Sequence, residues 1–170
     1  MNRQVYLDHN ASTPVHPEVV EAMLPYFSER FGNPSSVHGF GREAREGLET
    51  GREQVAHFLR VGKEEIVFTS GGTESDNMAI KGVAMGRGRG HLITSKIEHH
   101  AVLRAIQNLE TLGFDATYLD VDGDGLVDPD AVRRAIRPDT ILISIMHANS
   151  EIGTIQPARE IGRASCRERV

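Results

Sequence analysis

The stretch Ile66-Val67-Phe68-Thr69-Ser70-Gly71-Gly72-Thr73-Glu74-Ser75-Asp76-Asn77 decides the fold of this chain. Its first three residues are apolar and mostly β-branched, which predicts a short strand. The two glycines permit a sharp turn and allow a ligand to approach the backbone closely. Thr73 and Glu74 are then predicted to begin a helix, because the helix dipole favours an acidic residue in the first turn.

The turn inside this stretch has the features of an anion site. The first amide groups of a helix have no acceptor within the helix, and they point toward a bound anion. Together with the hydroxyls of Ser70 and Thr73 they predict a cradle for a phosphate. An ordinary strand-to-helix turn with a capping threonine explains the same residues, and the stretch alone leaves both interpretations open.

The composition bounds the class of protein. The 170 residues, 39% hydrophobic and 25% charged, are enough for one globular domain with a core. A net charge of −5 argues against a general nucleic-acid binder, and no apolar run approaches the roughly 18 residues of a membrane span. Residues 1–5 lack the apolar segment of a signal peptide, and the single Cys166 cannot form an internal disulfide, so a cytoplasmic setting is expected.

Strands and helices alternate after residue 65, which is typical of an α/β domain with a largely parallel sheet. The predicted strands are residues 66–68, 91–94, 116–119 and 141–146. The last of these is a continuous apolar run, as expected for a strand buried on both faces. Upstream, residues 5–8 read as a short strand or extended segment. Apolar spacing also predicts one helix from Glu18, kinked at Pro25, and another over residues 42–59.

Ligands of such sheets bind at the carboxyl ends of the strands. Three polar loops are predicted there, at residues 70–73, 95–99 and 147–153, and each carries hydroxyl, imidazole or amide groups. Their convergence favours the phosphate interpretation of the glycine turn.

Three other patterns carry weaker signals. Residues 120–125 resemble the start of a calcium loop, but the twelfth position holds Ala131 and no helix precedes it, so an Asp/Gly-rich turn is the better interpretation. The glycines of residues 86–90 follow a helix and read as a flexible connection. His99 and His100 are adjacent and have no ligand partner at a suitable spacing, so no metal site is predicted.

Several motifs follow one another along the chain. They are Tyr6-Leu7-Asp8-His9-Asn10-Ala11-Ser12-Thr13-Pro14, Phe31-Gly32-Asn33-Pro34-Ser35-Ser36, the opening stretch from Phe68, Ile97-Glu98-His99-His100-Ala101-Val102-Leu103 and Met146-His147-Ala148-Asn149-Ser150-Glu151-Ile152-Gly153-Thr154. In this order they resemble the cysteine desulfurases of the NifS/IscS type, which are class V aminotransferases dependent on pyridoxal 5′-phosphate. The similarity covers about residues 5–160.

The resemblance implies a site as well as a fold, the large domain of the aminotransferase-like fold type I. Gly72 and Thr73 match the loop that holds the cofactor phosphate. His99 matches the histidine that stacks on the pyridine ring and acts in proton transfer. Ser150 stands where the family usually has an asparagine beside the ring oxygen, so a contact from its shorter side chain is expected only through water.

The family's activity follows from the same resemblance. Cysteine would react with the cofactor, an enzyme thiolate would take the sulfur as a persulfide, and alanine would leave. The implied partners are L-cysteine and a sulfur-acceptor or iron–sulfur scaffold protein, with tRNA thiolation as another destination of the sulfur. A homodimer is implied for the full-length enzyme.

The family's Schiff-base lysine, its aspartate at the pyridine nitrogen and its persulfide cysteine would all lie beyond the matched residues. The sequence holds only Lys63, Lys81 and Lys96, none of which matches the lysine motif, and Cys166 is not a candidate nucleophile. We therefore expect a truncated, inactive chain that is poorly soluble and binds the cofactor weakly.

The expected organisation has three parts. Residues 1–14 form an extended segment, residues 15–160 form a partial cofactor-binding domain, and residues 161–170 form a non-native tail that resembles a translated sequencing adaptor. A genuine Arg-rich helix end is the alternative interpretation of that tail. Three rival functions also remain: another class V enzyme such as a selenocysteine lyase or an aminotransferase, a non-catalytic phosphate-binding or dimerisation module, and a calcium-binding domain.

Overall fold

A computed structural model of the chain describes residues 4–166. The chain divides after Phe68 into two compact units, which are described separately. The first unit is helical, and the second contains the sheet and the predicted site residues.

The first unit contains three α-helices and a short 3-10 helix. They are α1 (Pro17–Met23), α2 (Pro25–Ser28), α3 (Gly39–Leu59) and the 3-10 helix Lys63–Glu65. The predicted interruption at Pro25 is confirmed, because Pro25 begins a new helix at a position where its missing amide has no cost. Helix α3 begins three residues before the predicted start, since the His38 ring accepts a hydrogen bond from the Gly41 amide and caps it.

The predicted strand at residues 66–68 is wrong for this chain, because the segment is extended but pairs with no strand among residues 4–166. It is held instead by a side chain of α3. The Arg52 guanidinium donates to the Ile66 carbonyl at 2.6 Å and lies 4.9 Å from the centre of the Phe68 ring. Residues 5–8 likewise form no strand in the described chain.

The second unit is built on a three-stranded parallel sheet in the order β2-β1-β3, which confirms the predicted α/β class. Its elements, in chain order, are α4 (Gly72–Arg87), β1 (His91–Ser95), α5 (His100–Thr111), β2 (Asp115–Leu119), α6 (Pro129–Ala135), β3 (Thr140–Ser144) and α7 (Ala158–Cys166). The predicted glycine-rich connection after this helix is also present. Gly88 ends α4 with a φ of +82°, a backbone conformation that favours glycine.

The strand buried on both faces is β1, not the predicted β3. All five residues of β1 are buried because it is the central strand, whereas β3 is half-buried along its length at one edge. Leu92 packs on one face against α4 and α5, where Ile106 and Leu109 are fully buried. Ile93 packs on the other face with Val132 of α6 and Ile161 of α7.

Part of the predicted non-native tail is the second half of helix α7. Ile161 and Ala164 are both buried and lie three residues apart, which is the spacing of one helix face. Residues 161–166 are therefore helical, and Ile161 and Ala164 lie on the face of this helix that is buried. Residues 167–170 lie outside the described residues, and the origin of the tail stays a prediction.

A buried histidine joins the three strands at the amino end of the sheet. The His91 ring is fully buried, with Nδ1 2.9 Å from the Thr140 hydroxyl and Nε2 2.8 Å from the Thr117 hydroxyl. Burial lowers the pKa of His91 from its usual 6.5, and the nearby Arg137 guanidinium lowers it further. The folded chain therefore keeps His91 neutral under conditions in which the unfolded chain protonates it.

This histidine predicts a loss of stability in mild acid. Because the folded-state pKa is lowered, the contribution of His91 is complete above about pH 6.5 and is lost as the pH falls through its folded value. Between pH 7.5 and 5.5, urea unfolding should show a loss of stability from this group of at most about 1.4 kcal/mol, the value of one pH unit below the unfolded pKa. His91→Gln should shrink that loss, whereas the same change at exposed His100 should not. Equal pH dependence in His91→Gln and the parent chain would contradict the assignment.

Candidate functional site

Topology brings the predicted site residues to one edge of the second unit. The three strands are parallel, so the segments that follow them leave from the same edge of the sheet. Helix α4 precedes β1 through only residues 88–90, so it runs back along the sheet and its first turn lies at that edge too. Burial raises the pKa of Glu98 after β1, and the carboxylate of Asp76 in α4 adds a smaller contribution, which reflects this proximity.

The glycine turn has its own capping carboxylate. The Ser70 amide and hydroxyl both donate to Glu74 Oε2, at 2.6 and 2.7 Å. The two hydroxyls of Thr69 and Ser75 lie 2.7 Å apart across the same turn. The bonds from Ser70 lower the pKa of Glu74, so the carboxylate stays ionised well into acid. The predicted participation of the Ser70 hydroxyl in an anion cradle is therefore wrong in this structure, since that donor is already used.

The donors that remain at this helix start are those of Gly72 and Thr73. They occupy the first two positions of α4, where amide groups have no acceptor within the helix. Both glycines of the turn are open: a Cβ added to Gly71 or Gly72 would meet no atom within 4 Å. The Thr73 side chain is exposed beside them. This set of neutral donors with open space fits a phosphate group such as that of pyridoxal phosphate.

His99 is held at the start of α5 in one tautomer. It is the N-cap of the helix, and its Nδ1 accepts a hydrogen bond from the Ala101 amide at 3.1 Å. A neutral ring that accepts at Nδ1 carries its proton on Nε2, so Nε2–H is the group left to act on a ligand. The side chain is exposed, and its ring centre lies 6.4 Å from that of His100.

Ser150 lies on a loop that its buried neighbour organises. The Asn149 side chain accepts from the amides of Glu151 and Ile152, at 2.8 and 3.1 Å, and donates to the Ile97 carbonyl at 3.1 Å. A bridge between Ala148 and Ile155 closes the loop. Ser150 itself is exposed on the loop.

Glu98 is a buried carboxyl that the sequence reading did not single out. Its Oε1 accepts from the Ser95 hydroxyl at 2.7 Å and from the Met146 amide at 2.8 Å. Burial raises the pKa of Glu98 above its usual 4.5, and these two hydrogen bonds oppose that rise. Ser95 and Glu98 both precede the His99 N-cap, so they form no capping box that the sequence could have revealed.

The Asp/Gly-rich segment is a turn, as the sequence indicated. Asp122 Oδ1 accepts from the amides of Asp124 and Leu126, at 2.9 and 2.8 Å, and Val121 bridges to Val127. The carboxylate is thus used by the backbone of its own turn. Among residues 4–166 no cluster of three or more histidine, cysteine, aspartate or glutamate side chains is arranged to hold a metal ion.

A cavity of about 660 Å³ lies away from the predicted residues, beyond the end of β2. Its lining includes Tyr118, Asp120, Leu126 and Pro157 and none of the four predicted site residues. The side chains of Thr73, His99 and Ser150 are each exposed. Within the described range, no helix has the length and apolar character needed to cross a membrane.

Comparison with known proteins defines the class to which this fold and site belong. The aminotransferase class-V family model matches residues 5–169. The cysteine desulfurase IscS of Dictyoglomus turgidum is 58% identical over 166 residues, covering 96% of this chain and 42% of that protein. The IscS of Methanosarcina thermophila is 58% identical over 163 residues, covering 95% of this chain and 40% of its own length.

Solved structures give the same assignment. A NifS-like protein superimposes with a TM-score of 0.93 at 41% identity, over 98% of this chain and 46% of that one. SspA in complex with cysteine gives a TM-score of 0.88 at 47% identity, over 94% of this chain and 47% of that one. The chain belongs to the class-V aminotransferase family. It spans about two-fifths of the length of the curated relatives that it matches.

Asn149 provides a test of how the loop is held. Asn149→Ala leaves the Ile97 carbonyl and two loop amides without their side-chain partner, so we expect a loss of about 1–3 kcal/mol in the free energy of unfolding. Urea titration at pH 7 measures it. Glu151→Ala removes an exposed neighbour on the same loop and should stay within about 0.5 kcal/mol of the parent chain. Equal effects of the two substitutions would refute this account of the loop.

Proposed function

We propose that this chain carries the phosphate-holding and ring-facing part of a pyridoxal-phosphate site in a cysteine desulfurase. One observation carries the proposal: the open first-turn amides of Gly72 and Thr73 lie at the same sheet edge as the exposed His99, whose Nδ1 accepts from the Ala101 amide. The names of the similar proteins favour a desulfurase over a selenocysteine lyase, a small-substrate aminotransferase or a non-catalytic module.

Gly72 and Thr73 would hold the cofactor phosphate. Their amides, the positive end of the α4 dipole and the Thr73 hydroxyl all favour a dianion at this position. Glu74 opposes it, since its ionised carboxylate lies in the same helical turn. A weak, phosphate-dependent interaction is therefore the expected behaviour of this chain by itself.

His99 would face the ring of the cofactor. Because Nδ1 is fixed by the Ala101 amide, the imidazole plane is held at the helix start and Nε2 is free to donate or exchange a proton. Ser150, on the loop after β3, is the proposed neighbour of the ring oxygen. When bound, the cofactor would supply the electron sink for cleavage of the carbon–sulfur bond of L-cysteine.

The chain alone is proposed to be inactive. Of its three lysines, Lys96 is paired with Asp120 at 2.5 Å and Lys63 with Glu53 at 2.8 Å, and Lys81 lies on α4. We propose that none of the three is the lysine that the family uses. The side chain of Cys166 is not described in the structure. We further propose that the full-length enzyme is a cytoplasmic homodimer that delivers sulfur to an acceptor or iron–sulfur scaffold protein.

Binding of pyridoxamine 5′-phosphate tests the phosphate turn. This analogue has no aldehyde, so it cannot react with surface lysines. Fluorescence titration should give binding at least about tenfold tighter than for pyridoxamine, because the phosphate adds charge-assisted hydrogen bonds. Thr73→Ala should weaken it several-fold, whereas Ser70→Ala should not, since the Ser70 hydroxyl donates to Glu74.

Matched variants separate the ring contact from the phosphate contact. His99→Ala should weaken binding of pyridoxamine 5′-phosphate, and His100→Ala at the neighbouring exposed position should leave it within about twofold. Equal affinity for the phosphorylated and unphosphorylated analogues would overturn the assignment of the turn.

Product analysis tests the proposed inactivity. With L-cysteine and pyridoxal phosphate, the 170-residue chain should release no alanine above a protein-free control, since free cofactor converts cysteine to alanine only slowly without positioned catalytic groups. Alanine formation that depends on the protein and is abolished by His99→Ala would contradict the proposed inactivity and would support the proposed role of His99.

A further inference from the structure

The buried carboxyl of Glu98 connects two loops of the candidate site. It lies in the segment between β1 and α5, directly before His99, and is only 7% exposed. Its Oε1 accepts from Ser95 in its own segment and from the Met146 amide at the end of β3, 48 residues away in sequence. One oxygen thus receives donors from both sides of the junction between the loops.

A second connection runs in parallel. Asn149 Nδ2 donates to the Ile97 carbonyl at 3.1 Å, so the two segments are joined again within a few residues of the first link. In both links the segment before α5 supplies the acceptor and the segment after β3 supplies the donor. A paired arrangement of this kind restricts rotation of one loop against the other, which a single hydrogen bond does not.

We propose that Glu98 is a positioning residue, whose carboxylate fixes the loop that carries His99 against the loop that carries Ser150. His99 and Ser150 then keep one relative placement, although each stands on an exposed loop. That this placement serves a cofactor site rests on the proposed function. The coupling of the two loops does not depend on the proposed function.

The position of Glu98 explains why a carboxylate is used there. It immediately precedes the N-cap of α5, so a shift of Glu98 moves the His99 backbone with it. A buried acceptor with two donors on one oxygen is strong when ionised, and losing it leaves the Met146 amide unpaired in a half-buried site. If Glu98 contributed only to general stability, its loss would instead destabilise all elements of the unit alike.

Hydrogen–deuterium exchange of the 170-residue chain, followed by mass spectrometry, distinguishes these roles. Glu98→Leu should accelerate amide exchange in residues 95–99 and 146–153 by about tenfold or more, while β2 and α6 change less than about twofold. Glu98→Gln keeps an acceptor oxygen of the same reach and should stay within about threefold. Deuteration at the C2 position of His99 should also change in Glu98→Leu.

Glu110→Leu is the matched control, because it removes a carboxylate that accepts the Tyr118 hydroxyl at 2.6 Å outside the two loops. It should leave both loops unchanged. If Glu98→Leu does not fold, Ser95→Ala removes one of the two donors and should accelerate exchange in both loops by about two- to fivefold. Unchanged exchange in the loops, or equal acceleration throughout the unit, would overturn the proposal.

The exchange measurement contains no cofactor. Failure of pyridoxamine 5′-phosphate to bind would therefore refute the proposed site but would leave the proposed coupling of the loops unaffected. If the chain binds the analogue but exchange in the two loops does not respond to the loss of Glu98, only the proposed coupling is refuted.

Discussion

Burial of β1 between two helical layers is the constraint on which the second unit depends. A central parallel strand has no solvent-facing side, so every polar group on it needs a partner inside the protein. At its amino end the His91 ring is bonded to two threonine hydroxyls, and at its carboxyl end Ser95 is bonded to Glu98. The Thr94 hydroxyl is the one buried side-chain polar atom of the described residues that lacks a partner.

The charged groups around the two ends of β1 differ in arrangement. At the amino end, the Arg137 guanidinium pairs with the carboxylates of both Asp115 and Asp139 near the buried histidine. At the carboxyl end, the carboxylates of Glu74, Asp76 and Glu98 gather near a helix start that would otherwise attract an anion. Glu74 and Glu98 each hold a backbone amide in place at this end, and the phosphate binding that we propose would rest on neutral amides.

The sequence predicted those features that depend on residues close to one another along the chain. Helical spacing located the start of α3 to within three residues, and Pro25 located the break between α1 and α2, because these signals lie within one turn of chain. Strand pairing is not local. Residues 66–68 have the composition of a strand but no partner strand within the described residues, and β3 is an edge, so its apolar run did not mean complete burial. Glu98 and Asn149 were missed because their importance comes from burial against a loop some fifty residues away.

The strand order also sets the sequence of events during folding. β1 pairs with β2 across about two dozen residues but with β3 across nearly fifty, as the separations of 26 and 49 residues between His91 and its two threonine partners indicate. Loop closure costs more entropy for the longer connection. On a ribosome, α4, β1, α5 and β2 therefore emerge and can associate while one side of β1 is still unpaired, and that side is completed only when Thr140–Ser144 has been synthesised.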